Sequence, residues 1–181
     1  DTEKGVMYWL AINREGVSFV ELEDDIYPKL LKHQLLETVE SLLRRSLIEQ
    51  SFAGFTQQPV IMEYVTEQLI EQVCAQITEK REQESSSTLY PENSLTTHAL
   101  LKATAKDYIR CAQLRVIVKP VLAELLRQLG TKKAIEQRLL EILSLQHEQA
   151  SHESGYFAGN ILNLLSHLGS DLSGYDFSHL S

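Results

Sequence analysis

With 181 residues, 43% of them hydrophobic, the chain can bury one good core or two small ones, which excludes global disorder. No apolar run approaches the roughly 20 residues needed to cross a bilayer, and Asp1-Thr2-Glu3-Lys4 lacks the basic and apolar regions of a signal peptide, so we expect a cytoplasmic protein with no membrane partner. A net charge of -8 disfavours nucleic acid as the main partner, because neutralising a phosphate backbone takes clustered Lys and Arg.

In chain order, Val6, Met7, Trp9, Leu10 and Ile12 predict a buried helix over 3–13. Glu15-Gly16 breaks it, and Ser18-Phe19-Val20-Glu21 has the S-x-x-E spacing of a capping box opening a short second helix that ends near Ile26. After Pro28, the spacing of Leu31, Leu35, Val39, Leu42 and Leu43 predicts a third helix over 29–46. Three helices with short turns make the core of a helix-turn-helix unit. The stretch 47–58 alternates around Ala53-Gly54 as a small antiparallel hairpin, the wing of a winged helix. Pro59 suits the first turn of a long exit helix whose stripe of Val60, Ile61, Tyr64, Val65, Leu69, Val73 and Ile77 runs to about Glu82.

The charged, Ser-rich stretch 83–93 reads as a linker between the winged-helix unit at 1–82 and a helical bundle at 94–168. Ser94 or Thr96 caps a helix through Leu100, Leu101, Tyr108, Ile109 and Ala112 into Val116–Val118, which Pro120 interrupts. A segment from Val121 to Leu129 stops at Gly130, Thr131 opens another helix, and 155–168 forms the last. The tail 169–181 repeats Asp171-Leu172-Ser173 as Asp176-Phe177-Ser178 after five residues, the period of stacked pentapeptide coils. The fold class is therefore mainly α: a winged helix of three helices and a small β-hairpin, followed by an α-helical bundle. The chain opens on a helical pattern and stops inside a repeating motif, so we expect both ends to be cuts within a longer polypeptide.

Catalytic signatures are missing: the sequence has no phosphate-binding loop, no G-x-S-x-G elbow, no H-E-x-x-H pair and no Cys cluster. We therefore expect no enzyme activity, no catalytic residues and no cofactor in this chain. Cys74 and Cys111 sit in helical apolar patterns and read as reduced, buried thiols. His147 and His152, beside Glu148 and Glu153, are better read as loop polarity than as a metal site, which needs three or four converging ligands. Glu21, Glu23, Asp24 and Asp25 read as a solvated acidic face. Arg44 and Arg45, ending the third helix, are candidate interface cations. The would-be recognition helix presents Glu37, Thr38, Glu40 and Ser41 rather than the Arg and Asn that read base edges, which leaves a DNA-binding regulator as the second reading.

Several longer phrases carry a family resemblance: Val6-Met7-Tyr8-Trp9-Leu10-Ala11-Ile12-Asn13-Arg14-Glu15, Leu42-Leu43-Arg44-Arg45-Ser46-Leu47-Ile48-Glu49, Gln58-Pro59-Val60-Ile61-Met62-Glu63-Tyr64-Val65 and Gly159-Asn160-Ile161-Leu162-Asn163-Leu164-Leu165. Together they resemble the winged-helix and helical-arm region of cyanobacterial-type NB-ARC (STAND-class) signalling ATPases with C-terminal WD repeats. The resemblance implies an upstream P-loop domain that binds ATP or ADP, a downstream WD-repeat propeller, an oligomer of the parent, and a regulatory chain transmitting nucleotide state between them. In that family a Met-His-Asp motif near the end of the winged helix contacts the ADP phosphate through its histidine. Met62-Glu63-Tyr64 stands at that position, so the resemblance makes Glu63 the candidate cofactor-binding residue. A carboxylate there repels phosphate unless a cation intervenes.

Overall fold

A computed structural model describes residues 2–79, 93–148 and 155–170. The described elements are helices α1 (Thr2–Asn13), α2 (Phe19–Asp25) and α3 (Lys32–Arg44), strands β1 (Glu49–Ser51) and β2 (Gly54–Thr56), and helices α4 (Pro59–Thr78), α5 (Ser94–Thr97), α6 (Asp107–Gln113), α7 (Lys119–Leu129), α8 (Lys132–Glu148) and α9 (Phe157–Leu168). The described residues are mainly helical, with one two-stranded sheet. Among these residues no helix is long and apolar enough to cross a membrane.

Local chemistry explains the first half. Ser18 Oγ accepts from the Glu21 amide at 3.2 Å while the Glu21 carboxylate accepts from Ser18 N at 2.9 Å, the reciprocal cap the spacing predicted for α2. In the antiparallel hairpin Glu49 faces Thr56 and Ser51 faces Gly54; Val17 adds a bridge to Phe55, with N–O distances of 2.9 and 2.8 Å. Gly54, at φ 113°, lies so close to Val17 that an added Cβ would sit 2.2 Å from the Val17 carbonyl oxygen, so only glycine closes this contact. Pro59 occupies the first turn of α4, where its missing N–H costs nothing. The third helix starts at Lys32 rather than 29, and α4 ends at Thr78 rather than 82.

The second half departs more from the sequence reading. In place of one helix from Ser94 or Thr96 through Ala112, α5 ends after four residues and a loop over 98–106 precedes α6. Buried amides hold that loop: Asn160 Oδ1 accepts from Leu100 N at 2.9 Å, Asn160 Nδ2 donates to the Leu95 and His98 carbonyls, and Gln113 Oε1 accepts from Lys102 N at 3.0 Å. Leu100 is buried by the loop, so its apolar character carried no helical meaning. Nor does Pro120 interrupt the helix. Leu114–Val118 widens into a π turn, with Lys119 N bonding Leu114 O, and the axis runs on from α6 into α7 across the proline.

Among the described residues one hydrophobic core joins the two predicted units: Trp9, Leu10, Leu69 and Ile77 of the first share it with Leu100, Ile117, Leu125, Ile135, Leu139 and Ile161 of the second. The linker from 83 to 92, the pentapeptide-like tail from 171 and the His152–Glu153 pair lie outside the described residues.

Candidate functional site

Helix α1 ends at Asn13, and Arg14 turns the chain through the left-handed region at φ 59°, an uncommon conformation for a side chain of this size. Its guanidinium then lies against the start of α4. Arg14 Nη1 meets Glu63 Oε1 at 3.0 Å and Nη2 donates to Thr66 Oγ1 at 2.7 Å, while the Thr66 hydroxyl bonds the Met62 carbonyl at 2.7 Å. The Arg14 side chain is 10% exposed and that of Glu63 is 68% exposed. Arg14 Nε is buried with no hydrogen-bond partner, a costly arrangement in a folded chain.

The Met62-Glu63-Tyr64 triplet is thereby placed. Met62 packs on the core, Glu63 points outward to pair with Arg14, and Tyr64 is exposed beside Val60 on the outer face of α4, which continues through Glu67 and Glu71. Arg45 ties down α1: it pairs with Glu3, which also accepts from Ser41 Oγ at 2.8 Å. The Ser41 hydroxyl, and then Arg45, hold the Glu3 carboxyl below the usual range. Arg44 is exposed.

Two buried features were invisible to the sequence reading. Asp25, assigned there to a solvated face, is buried, whereas Glu21 and Asp24 are exposed. Its Oδ2 accepts from Lys102 Nζ at 2.7 Å and from Asn13 Nδ2 at 3.0 Å, and the Tyr156 hydroxyl donates to its carbonyl at 2.9 Å, so one acidic residue ties α1, α2, the 98–106 loop and the residue before α9. Beside it Gln113, wholly buried, donates to Ile12 O at 2.9 Å. The available signal was helical spacing: Asp25 stands three residues after Leu22, on the one face of α2 that is buried.

The second is His98. Its Nε2 lies 3.0 Å from the Gly5 carbonyl, which places the neutral ring's proton on Nε2 and leaves Nδ1 facing Thr97 Oγ1 at 2.8 Å. The ring packs on Tyr8 and Trp9 at 5.4 and 5.2 Å, at the wall of a cavity of about 200 Å³ that also touches Tyr27, Pro28 and Gln72. Burial pushes its pKa down to about 4. The unfolded chain, with an ordinary histidine near 6.5, therefore binds the proton first, and stability is full above that value and falls as pH drops towards 4. We expect the unfolding free energy to lose about 1 kcal/mol per pH unit across that window, a slope that urea titrations should show weakened in His98→Gln.

Both cysteines are free; the Cys74 thiol is buried, as expected, and pushed up to about 12, so it is inert, whereas Cys111, expected to be buried, is exposed on the outer side of α6. Among the described residues no group of three potential ligands could hold a metal ion.

No protein-family model matches the chain, and no solved structure matches it. It is similar to an uncharacterized WD repeat-containing protein of Nostoc sp., 45% identical over 202 aligned positions covering 99% of this chain. The chain spans 16% of that relative's length.

Proposed function

We propose that the chain is a non-catalytic regulatory and coupling region of a nucleotide-switched signalling ATPase, lying between an upstream P-loop domain and a downstream WD-repeat propeller in one cytoplasmic polypeptide. The observation that carries this reading is the similarity itself: nearly the whole chain aligns with a small fraction of a WD repeat-containing protein. That is the relation expected of a segment that works within a larger protein.

In this reading α1 to α3 with the hairpin form a winged helix, supported by the Val17 bridge that adds a third short pairing to β1 and β2. The outer face of α4, with Val60 82% and Tyr64 62% exposed next to Glu63, meets the P-loop domain, whose ATP or ADP is the only cofactor. The shared core supports motion as one body, so that a displacement of α4 reaches α9 without loss at an internal hinge. The DNA-binding reading gains nothing from α3, and we expect no salt-dependent binding of duplex DNA.

Hydrogen exchange of a parent protein in its ATP and ADP states tests the proposal. Protection at the start of α4 should differ between the two states, and the isolated chain should release no phosphate from ATP. Identical protection, or turnover by the isolated chain, would sink the reading.

A further inference from the structure

We propose that the cavity beside His98 is a binding site for a small aromatic carboxylate. Its volume of about 200 Å³ lies below the roughly 300 Å³ at which drug-sized and cofactor sites begin, which excludes a nucleotide and admits one ring with a short acidic arm. The walls suit a ring. Tyr8 and Trp9 hold the His98 imidazole at 5.4 and 5.2 Å, and Tyr27 adds a further aromatic side. Hydrogen bonds fix these walls, His98 Nε2 to the Gly5 carbonyl and the Tyr8 hydroxyl to Gln72 at 2.8 Å, so an entering ring needs little rearrangement. The rim suits an acid. Thr2, Lys4 and Gly5 bring the first turn of α1 to the cavity, and the amides of that turn have no acceptor within the helix, which makes this end electropositive. Lys4 adds an ammonium, 5.6 Å from the centre of the Tyr8 ring. Glu3, the carboxylate of the same turn, is held by Ser41 and Arg45, and among the described residues no aspartate or glutamate lines the cavity. Ser94, 2% exposed in the cavity wall, brings a hydroxyl that bonds no described residue, a donor left over for an incoming oxygen.

The ligand's ring lies among the aromatic walls, its carboxylate faces Lys4 and the start of α1, and no covalent bond changes. The lining comes from α1, the turn at 26–30, α4 and α5, so an occupant touches both sides of the shared core and favours the form in which they are joined. This binding is a property of the chain itself and stands whether or not the chain couples to a nucleotide.

Trp9 is the sole tryptophan of the sequence, so its fluorescence reports on the cavity wall directly. The test titrates phenylacetate into the full 181-residue chain and reads that fluorescence together with the melting temperature. A saturable change at one site is expected, with a melting temperature that rises as the site fills. Cyclohexylacetate, which keeps the acid and loses the aromatic ring, should bind about fivefold more weakly. Lys4→Gln, at an exposed position, should melt with the wild type and weaken phenylacetate by about fivefold, the upper range for an exposed ion pair. Lys133→Gln, the same change of charge on the outside of α8, should leave binding as it was. Ser94→Ala should weaken phenylacetate further when combined with Lys4→Gln. No saturable change up to about 10 mM phenylacetate, equal binding of cyclohexylacetate, or equal losses in Lys4→Gln and Lys133→Gln would each overturn the proposal.

Discussion

Replacing Asp25 with alanine is expected to destabilise the chain by about 3 kcal/mol, because it leaves the Lys102 ammonium without a counter-charge in a low-dielectric interior, with only the neutral Asn13 Oδ1 at 3.3 Å beside it. Breaking one side of a buried ion pair costs about 3 to 5 kcal/mol, and the lower end applies because Lys102 keeps 20% of its side chain in contact with water. The comparison that isolates the cause is Asp25→Asn/Lys102→Met, which removes both charges. It should recover more than half of the loss, since the desolvation cost of each ion disappears with it. Urea unfolding followed by circular dichroism measures both. A loss below about 1 kcal/mol for Asp25→Ala would mean that the pair is solvated in practice, as a surface bridge is.

That expectation also shows where sequence reading stops. Asp25 sits at the end of a run that looks uniformly solvated, and the chain gives no local sign that Lys102, 77 positions away, meets it. Elements fixed by near neighbours were legible: the Ser18–Glu21 cap, the hairpin at Gly54 and the proline opening α4 all depend on residues within a few positions. Elements fixed by distant side chains were not. The loop at 98–106 has the composition of a helix, and only the buried Asn160 and Gln113, reaching in from elsewhere, hold it open. A proline such as Pro120 ordinarily ends a helix, whereas here the π turn before it lets the helix run on.

The candidate site divides in the same way. Position 63 was singled out from a resemblance and the structure places it on the surface, but its meaning depends on Arg14, which the sequence reading passed over as part of a phrase. Arg14 follows a helix end directly, where a polar residue ordinarily points into solvent. Its left-handed backbone reverses that, turning the side chain under the start of α4. Arg45, one of two adjacent arginines at a helix terminus that suggested an interface, also makes an internal contact with Glu3 that its position in sequence did not announce.

Trp9→Ala is expected to cost about 3 to 5 kcal/mol, the range for emptying a large buried aromatic site. Trp9 is 1% exposed, and its ring touches His98 and Tyr156 with centroids 5.2 Å away in each case, so the indole sits where α1 meets the segments leading into the loop and into α9. What matters is how the loss is distributed. If the core is one cooperative unit, amide protection at Ile161 and Leu164 in α9 should fall with that at Val39 and Leu42 in α3, by the same free energy, and unfolding should remain a single transition. Protection that survives in α8 and α9 while α3 loses it would reveal two units that open separately. The difference bears on mechanism: a chain that unfolds as one body can carry a displacement from α4 to α9, whereas two weakly coupled units would spend that displacement at the boundary between them. Trp9, lying on the boundary, is the residue whose removal distinguishes the two.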